Sequence, residues 1–120
     1  MRTESRRQKR MASLLREALG DILPSELRSY PTSLVSVTRV EIPADLRSAR
    51  VLLSIFGPAE AEEIRGHLER RTGAIRHRLA AVAEFKYNPQ LVFALDSSAE
   101  DVERISRILE EKAHDDNTTG

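Results

Sequence analysis

The stretch LVSVTRVEIPADLRSARVLLSIF, residues 34–56, contains two runs that are rich in β-branched and apolar residues. The runs cover Leu34–Ile42 and Arg50–Phe56, and in the second one every other residue from Val51 to Ile55 lies on one face of an extended chain. The connection Pro43–Ala49 begins with turn residues and is short enough for an antiparallel hairpin. The stretch therefore predicts two paired strands.

An amphipathic helix is predicted before this hairpin. Apolar residues recur there at helical spacing, and they are Met11, Leu14, Leu15, Ala18, Leu19, Ile22 and Leu23. Pro24 is predicted to close the helix, because a proline lacks the backbone donor that a further turn needs. The outer face is cationic, since it carries Arg6, Lys9, Arg10 and Arg16.

After Gly57-Pro58 the spacing of apolar residues becomes helical again. One stripe is formed by Ala61, Ile64, Leu68, Thr72, Ile75, Leu79 and Val82. Gly73 lies inside this region, where a glycine costs about 1 kcal/mol relative to alanine. Gly73 therefore predicts either a bend between two helices or a position that another molecule approaches closely. At a bend we expect Gly73 to have a left-handed or otherwise non-helical backbone.

Asn88-Pro89 ends the helical region, and Gln90–Leu95 is predicted as a third strand. Ser98 can cap a final helix with the apolar stripe Val102, Ile105, Ile108 and Leu109. The predicted fold is a two-layer α+β domain of order α-β-β-α-(bend)-α-β plus a C-terminal helix. Residues 1–112 are predicted to form this single domain, and residues 113–120 are predicted to be a flexible tail. The order of the strands in the sheet stays open.

The composition excludes several classes of protein. A chain of 120 residues with 40% apolar composition fits one domain, and zero cysteines exclude disulfides, iron–sulfur clusters and thiolate zinc sites. No apolar run approaches the roughly 20 residues of a membrane span, and no signal-peptide core follows the basic N-terminus. We therefore expect a cytoplasmic protein without a membrane partner.

Charge is segregated along the chain although the net charge is zero. Six basic residues and one acid give residues 1–16 a charge of +5, and six basic residues and two acids give residues 65–86 a charge of +4. From residue 87 onwards three basic residues meet eight acids, which gives −5. This pattern suits a protein that presents one face to a polyanion, and it equally suits a solvated surface of mixed sign.

Enzyme and metal motifs are missing from the sequence. The histidines have no ligand spacing, and no phosphate-binding loop or nucleophile motif is present, so we expect no cofactor and no metal. Glu41, Asp45 and Asp96 are scattered at strand ends, and no other acid–base residue stands near them in the sequence, which is typical of turn and surface residues.

Four stretches, taken in their order and spacing, resemble the bacterial ribosome-binding factor A family, which has a type II KH-like fold. They are RRQKRMASLLREALGDIL (residues 6–23), VTRVEIPADLRSARVLLSIF (37–56), TGAIRHRLA (72–80) and FKYNPQLVFALDSS (85–98). The resemblance implies a monomeric, non-enzymatic factor that binds the free small (30S) ribosomal subunit and its 16S rRNA late in maturation. It further implies a role in processing and folding near the 5′ end, importance in the cold, and release by a ribosome-associated GTPase.

Two positions depart from the family pattern. Family members carry Ala-x-Gly at the bend of the helix pair, and Arg71 stands here at the alanine position while Gly73 is kept. The segment Ser29–Thr32 replaces the family's Asp-Pro-Arg. The chain also lacks the GxxG loop with which ordinary KH domains clamp a nucleotide backbone.

The arginines around Gly73 either contact phosphates or lay their stems over the edge of the core. The resemblance favours phosphate contact. The candidate RNA-binding residues are Arg6, Lys9, Arg10, Arg65, Arg70, Arg71, Gly73, Arg76, Arg78 and Lys86. Two other functions stay open: a KH-like module for another structured RNA, and a protein-interaction module in which the basic segments are only solvated.

Overall fold

A computed structural model describes residues 4–57, 60–83, 85 and 88–96. Three helices and three strands occur in the predicted order: α1 Arg6–Glu26, β1 Leu34–Glu41, β2 Ser48–Phe56, α2 Ala61–Arg70, α3 Thr72–Val82 and β3 Gln90–Leu95. The α+β prediction is therefore confirmed. The predicted C-terminal helix and the tail 113–120 lie outside the described residues.

The strands form one sheet of order β1-β2-β3. β1 pairs antiparallel with β2, placing Val37 opposite Leu53, and β2 pairs parallel with β3, placing Val51 opposite Phe93. β2 begins at Ser48, two residues earlier than the predicted start at Arg50. The pairing with β1 ends at Arg50, but the pairing with β3 extends to Ser48. The parallel pairing requires a crossover, and α2 and α3 supply it.

The core lies between the sheet and the helices. α1 packs on β1, α2 packs on β3, and α3 lies between α1 and α2. The most deeply buried large side chains include Leu15, Leu19, Leu53, Ile64, Leu68, Ile75, Leu79 and Phe93. The apolar stripes of the helices and strands therefore meet in one cluster, except that Leu14, at 38% exposed, and Val82, at 63% exposed, lie outside it.

The prediction that Pro24 closes α1 is wrong. The helix continues to Glu26, and Leu27 donates its backbone N–H to the carbonyl of Pro24. A proline at this position removes the bond to the carbonyl of Gly20, and Gly20 is exposed, so water can satisfy that carbonyl. The two extra residues bring Glu26 into reach of α3.

The bend between the second and third helices lies at Arg71, which has φ −99° and ψ 7°. Gly73 belongs to α3, and its φ is not positive; Gly57, with φ 140°, is the positive-φ glycine of the described residues. The expectation of a non-helical Gly73 is therefore wrong. A β-carbon at Gly73 would meet nothing within 4 Å, so the glycine leaves open space on the surface.

A β-bulge interrupts β1 between Val37 and Arg39, and Thr38 has no partner in the strand pairing. The hydroxyl oxygen of Thr38 lies 2.6 Å from Oδ2 of Asp96, the residue after β3. Asp96 is 9% exposed, so the expectation of a surface position is wrong. The bulge turns a hydroxyl toward this carboxylate and ties the two outer strands together across β2.

Candidate nucleic-acid interface

The start of α1 is fixed to the sheet. Ser5 and Gln8 form a capping box, with Gln8 N donating to Ser5 Oγ at 3.1 Å and Ser5 N donating to Gln8 Oε1 at 2.7 Å. The side-chain nitrogen of Gln8, Nε2, also donates to the backbone carbonyl of Ile42 at 2.8 Å. These bonds hold the first turn of α1 against the hairpin end of the sheet.

The cations of this turn are exposed. Within the described residues no carboxylate pairs with Arg6, Lys9 or Arg10. The first turn holds no acidic residue, although the amino end of a helix is electrostatically positive and favours acids. These positive charges therefore do not stabilise the helix. Together with the positive helix end they form a surface that suits an anion.

Glu26 joins the other end of α1 to α3. Its carboxylate is 7% exposed and accepts from Arg71 Nε at 2.9 Å, while Arg78 Nη1 lies 3.5 Å from its other oxygen. Arg78 Nη1 also donates to Ser25 Oγ. The hydrogen bond from Arg71, reinforced by the charges of both arginines, lowers the pKa of Glu26 against the opposing effect of burial. The same bond raises the pKa of Arg71.

A histidine and a tyrosine extend this junction. Nε2 of His67, on α2, lies 2.7 Å from the carbonyl oxygen of Glu26, and the ring of Tyr30 meets the His67 ring edge to face at 5.4 Å. The end of α1, the bend and α2 are therefore joined through Glu26. The sequence pattern does not reveal this role of Glu26 and His67, because their partners are 41 to 52 residues away along the chain.

Two further candidate arginines bind protein acceptors. Arg65 pairs with Glu62 at 2.6 Å and donates to the carbonyl of Phe93 at 3.3 Å. The hydrogen bond from Arg65 lowers the pKa of Glu62, and the same bond raises the pKa of Arg65. Arg76 donates to the carbonyls of Asn88 and Pro89, each at 2.8 Å. These guanidiniums hold α2 and α3 against β3 and the segment that leads into it.

Arg70 differs from these arginines. It is exposed, and within the described residues it has no hydrogen-bond or ion-pair partner. Gly73 follows it by three residues and is also exposed. Arg71 uses only Nε toward Glu26 and is half exposed, so its outer nitrogens face solvent. Arg70, Arg71 and Gly73 therefore form a small open surface with available guanidinium donors.

The predicted contact residues lie in two groups. One group surrounds the start of α1, and the other surrounds the bend near the far end of α1. The two groups are roughly 25 Å apart, because a helix rises 1.5 Å per residue. Arg6, Lys9 and Arg10 belong to the first group, and Arg70, Arg71, Gly73 and Arg78 to the second. Arg65 and Arg76 face β3. Lys86 lies outside the described residues.

The described residues contain no group of three or more histidine or acidic side chains placed to hold a metal ion. None of the three helices described above has the length and apolarity needed to cross a membrane.

Comparison with known proteins gives a consistent family signal. The sequence profile of a family described as ribosome-binding factor A matches residues 7–109. A ribosome-binding factor A of Coxiella burnetii is 37% identical over 106 residues, which cover 88% of this chain and 89% of that protein. The Thermomicrobium roseum protein of the same name is 41% identical over 106 residues, covering 88% and 82%.

A solved structure shares the fold. The crystal structure of ribosome-binding factor A from Thermus thermophilus superimposes with a TM-score of 0.62 at 21% identity, covering 73% of this chain and 94% of that chain. The agreement supports the predicted type II KH-like arrangement of helices and strands.

Proposed function

The chain belongs to the ribosome-binding factor A family, and from this premise we propose that it assists late maturation of the small (30S) ribosomal subunit by binding 16S rRNA. It acts as a cytoplasmic, monomeric and non-enzymatic factor that binds the free subunit. Its proposed work lies in folding and processing near the 5′ end of the rRNA and matters most in the cold. A ribosome-associated GTPase is the proposed partner for release.

The observation that carries the proposal is the exposed cationic group at the start of α1. Arg6, Lys9 and Arg10 lie beside the positive end of a helix that is clamped to the sheet by Gln8. A phosphate there is attracted by the side-chain charges and by the positive end of the helix together. This arrangement favours affinity for an RNA backbone over the reading of particular bases.

The second proposed contact is the open surface of Arg70, Arg71 and Gly73. The absence of a side chain at Gly73 lets a sugar–phosphate backbone come close to α3, and the free nitrogens of the two arginines supply donors. Arg65, Arg76 and Arg78 position the helices that present this surface. Lys86 remains a proposed contact.

The proposal is tested by measuring binding to purified 30S subunits over a range of salt concentrations. Lys9→Gln/Arg10→Gln is the test variant, and Arg39→Gln/Arg50→Gln is the matched control, because Arg39 and Arg50 pair with Glu41 and are exposed on the sheet. The slope of log affinity against log salt should fall by about 0.7–0.9 for each phosphate that the variant no longer neutralises. Only the test variant should show this decrease.

Two results would contradict the proposal. An affinity for 30S subunits that does not change with salt would favour a protein-interaction module. Equal binding to 30S subunits and to unrelated structured RNA would favour the broader KH-like function.

Accumulation of unprocessed 16S rRNA in cold-grown cells that carry Lys9→Gln/Arg10→Gln would support the maturation role.

A further inference from the structure

The two edges of the sheet are protected differently. At β3, the carbonyl of Phe93 accepts from Arg65 at 3.3 Å, and its N–H donates to Glu69 at 3.0 Å. α2 therefore occupies backbone groups that another strand would need. β1 is the other edge strand, and within the described residues no side chain or backbone group bonds to its outward N–H and C=O groups. Among the residues that the structure describes, nothing therefore covers the β1 edge of the sheet.

A groove runs along this open edge, between β1 and the second half of α1, with a volume of about 530 Å³. Its helix wall includes the buried Leu19 and Leu23, and its strand wall includes the half-buried Val35 and Val37. Leu34, which is 65% exposed, stands at one end. The groove thus offers apolar surface directly beside free backbone hydrogen-bonding groups.

The rim of the groove is basic. Arg28 lines it, and Arg16 precedes Leu23 by seven residues, or two helical turns, so it lies on the same side of α1 just before the groove. The exposed acids of this half of the helix, Glu17 and Asp21, lie about 120° and 160° around the helix from Leu23. A partner lying along β1 therefore meets positive charge.

We propose that the groove between α1 and β1 binds an extended acidic segment of a partner protein, which adds as a further strand to β1 and inserts an apolar side chain beside Leu23. Strand addition uses main-chain bonds for affinity and alternate side chains for specificity. RNA fits this groove less well, because its backbone does not present alternating donors and acceptors to a strand edge. The site is separate from the proposed RNA contacts and does not depend on them.

The probe is an acetylated nine-residue peptide of alternating Glu and Val with a central Leu. Two control peptides carry Lys in place of Glu, or N-methyl groups on alternate amides that cannot join a ladder. When the acidic peptide binds, hydrogen exchange of the full chain should slow at those β1 amides between Leu34 and Val37 that face away from β2. Affinity should fall at least tenfold for both control peptides.

A pair of charge-reversal variants tests the rim. Arg16→Glu/Arg28→Glu should weaken binding of the acidic peptide at least tenfold, and it should improve binding of the Lys peptide. Arg7→Glu/Arg50→Glu changes the net charge equally at exposed positions that do not line the groove, so it is the matched control. This control should change the affinity less than threefold.

Four results would overturn the inference. Slow exchange at the outward-facing β1 amides in the free protein would mean that the chain already covers this edge. Protection that grows with protein concentration and is accompanied by dimers would make a second copy the occupant. Displacement of the peptide by an RNA oligonucleotide would assign the groove to RNA. Failure of the acidic peptide to bind at millimolar concentration would leave the groove without this function.

Discussion

Replacing Gly73 by alanine separates a helical role of this residue from a role in RNA contact. Gly73 is helical and exposed, and a β-carbon there would meet nothing within 4 Å. Alanine fits such a site without strain and restricts the unfolded chain, so the variant should gain about 0.4–1 kcal/mol in free energy of unfolding. For a chain of 120 residues this corresponds to a rise in Tm of about 2–4 °C.

The assay is thermal unfolding combined with 30S binding. Gly20→Ala is the matched control, because Gly20 is also helical and exposed, with open space at the β-carbon position. Both variants should melt higher, and only Gly73→Ala should bind subunits more weakly, because the added methyl group holds an RNA backbone away from α3.

Each half of this prediction can fail separately. A lower Tm for Gly73→Ala would refute the helical assignment and would move the bend from Arg71 to the glycine. A higher Tm with unchanged subunit binding would keep the helix and remove Gly73 from the RNA contact surface.

Three other changes test how the elements are held together. Glu26→Gln should lower the free energy of unfolding by about 1–2 kcal/mol at neutral pH. The change removes a charge-assisted hydrogen bond, but the arginine partners stay partly solvated. Because the folded pKa of Glu26 is lowered from 4.5, this stabilisation is present above about pH 4.5 and is lost on acidification, so urea unfolding should show the two proteins converging at low pH. Thr38→Val should lower the free energy of unfolding by about 1–3 kcal/mol in the same assay, because it removes the hydroxyl that donates to the buried Asp96 carboxylate. An unchanged midpoint would contradict the bulge contact. Ser5→Ala should cost about 1 kcal/mol by removing the cap on Gln8 and should speed hydrogen exchange in the first turn of α1; unchanged exchange there would argue against the capping box.

Periodicity was sufficient to predict the elements whose residues bury one face. Val51 and Leu53 in β2, and Ile75 and Leu79 in α3, lie where alternation and helical spacing place them. The hairpin was predictable as well, because its connection is short and carries turn residues. The order of the strands was not, since nothing in the local pattern of Leu91 or Phe93 specifies which strand lies beside β3.

Features that depend on distant partners escaped the sequence analysis. The bend was expected at Gly73 because glycine is the permissive residue, yet it lies at Arg71, whose side chain bonds to Glu26 on α1. Asp96 was expected at the surface, yet a bulge 58 residues earlier supplies its hydrogen-bond donor. In the candidate interface, sequence identified the cations but not which guanidiniums bind protein acceptors.

The parallel pairing of β2 and β3 has a consequence for synthesis of the chain. Val51 acquires its partner Phe93 only after 41 intervening residues have been added. At about 5–20 residues per second this takes roughly 2–8 s. During that interval the nascent hairpin carries an apolar face and an unpaired β2 edge, both of which are hazards for association with other chains. Early closure of α1 over the hairpin, through Gln8 and Ile42, would shield part of that face until β3 arrives.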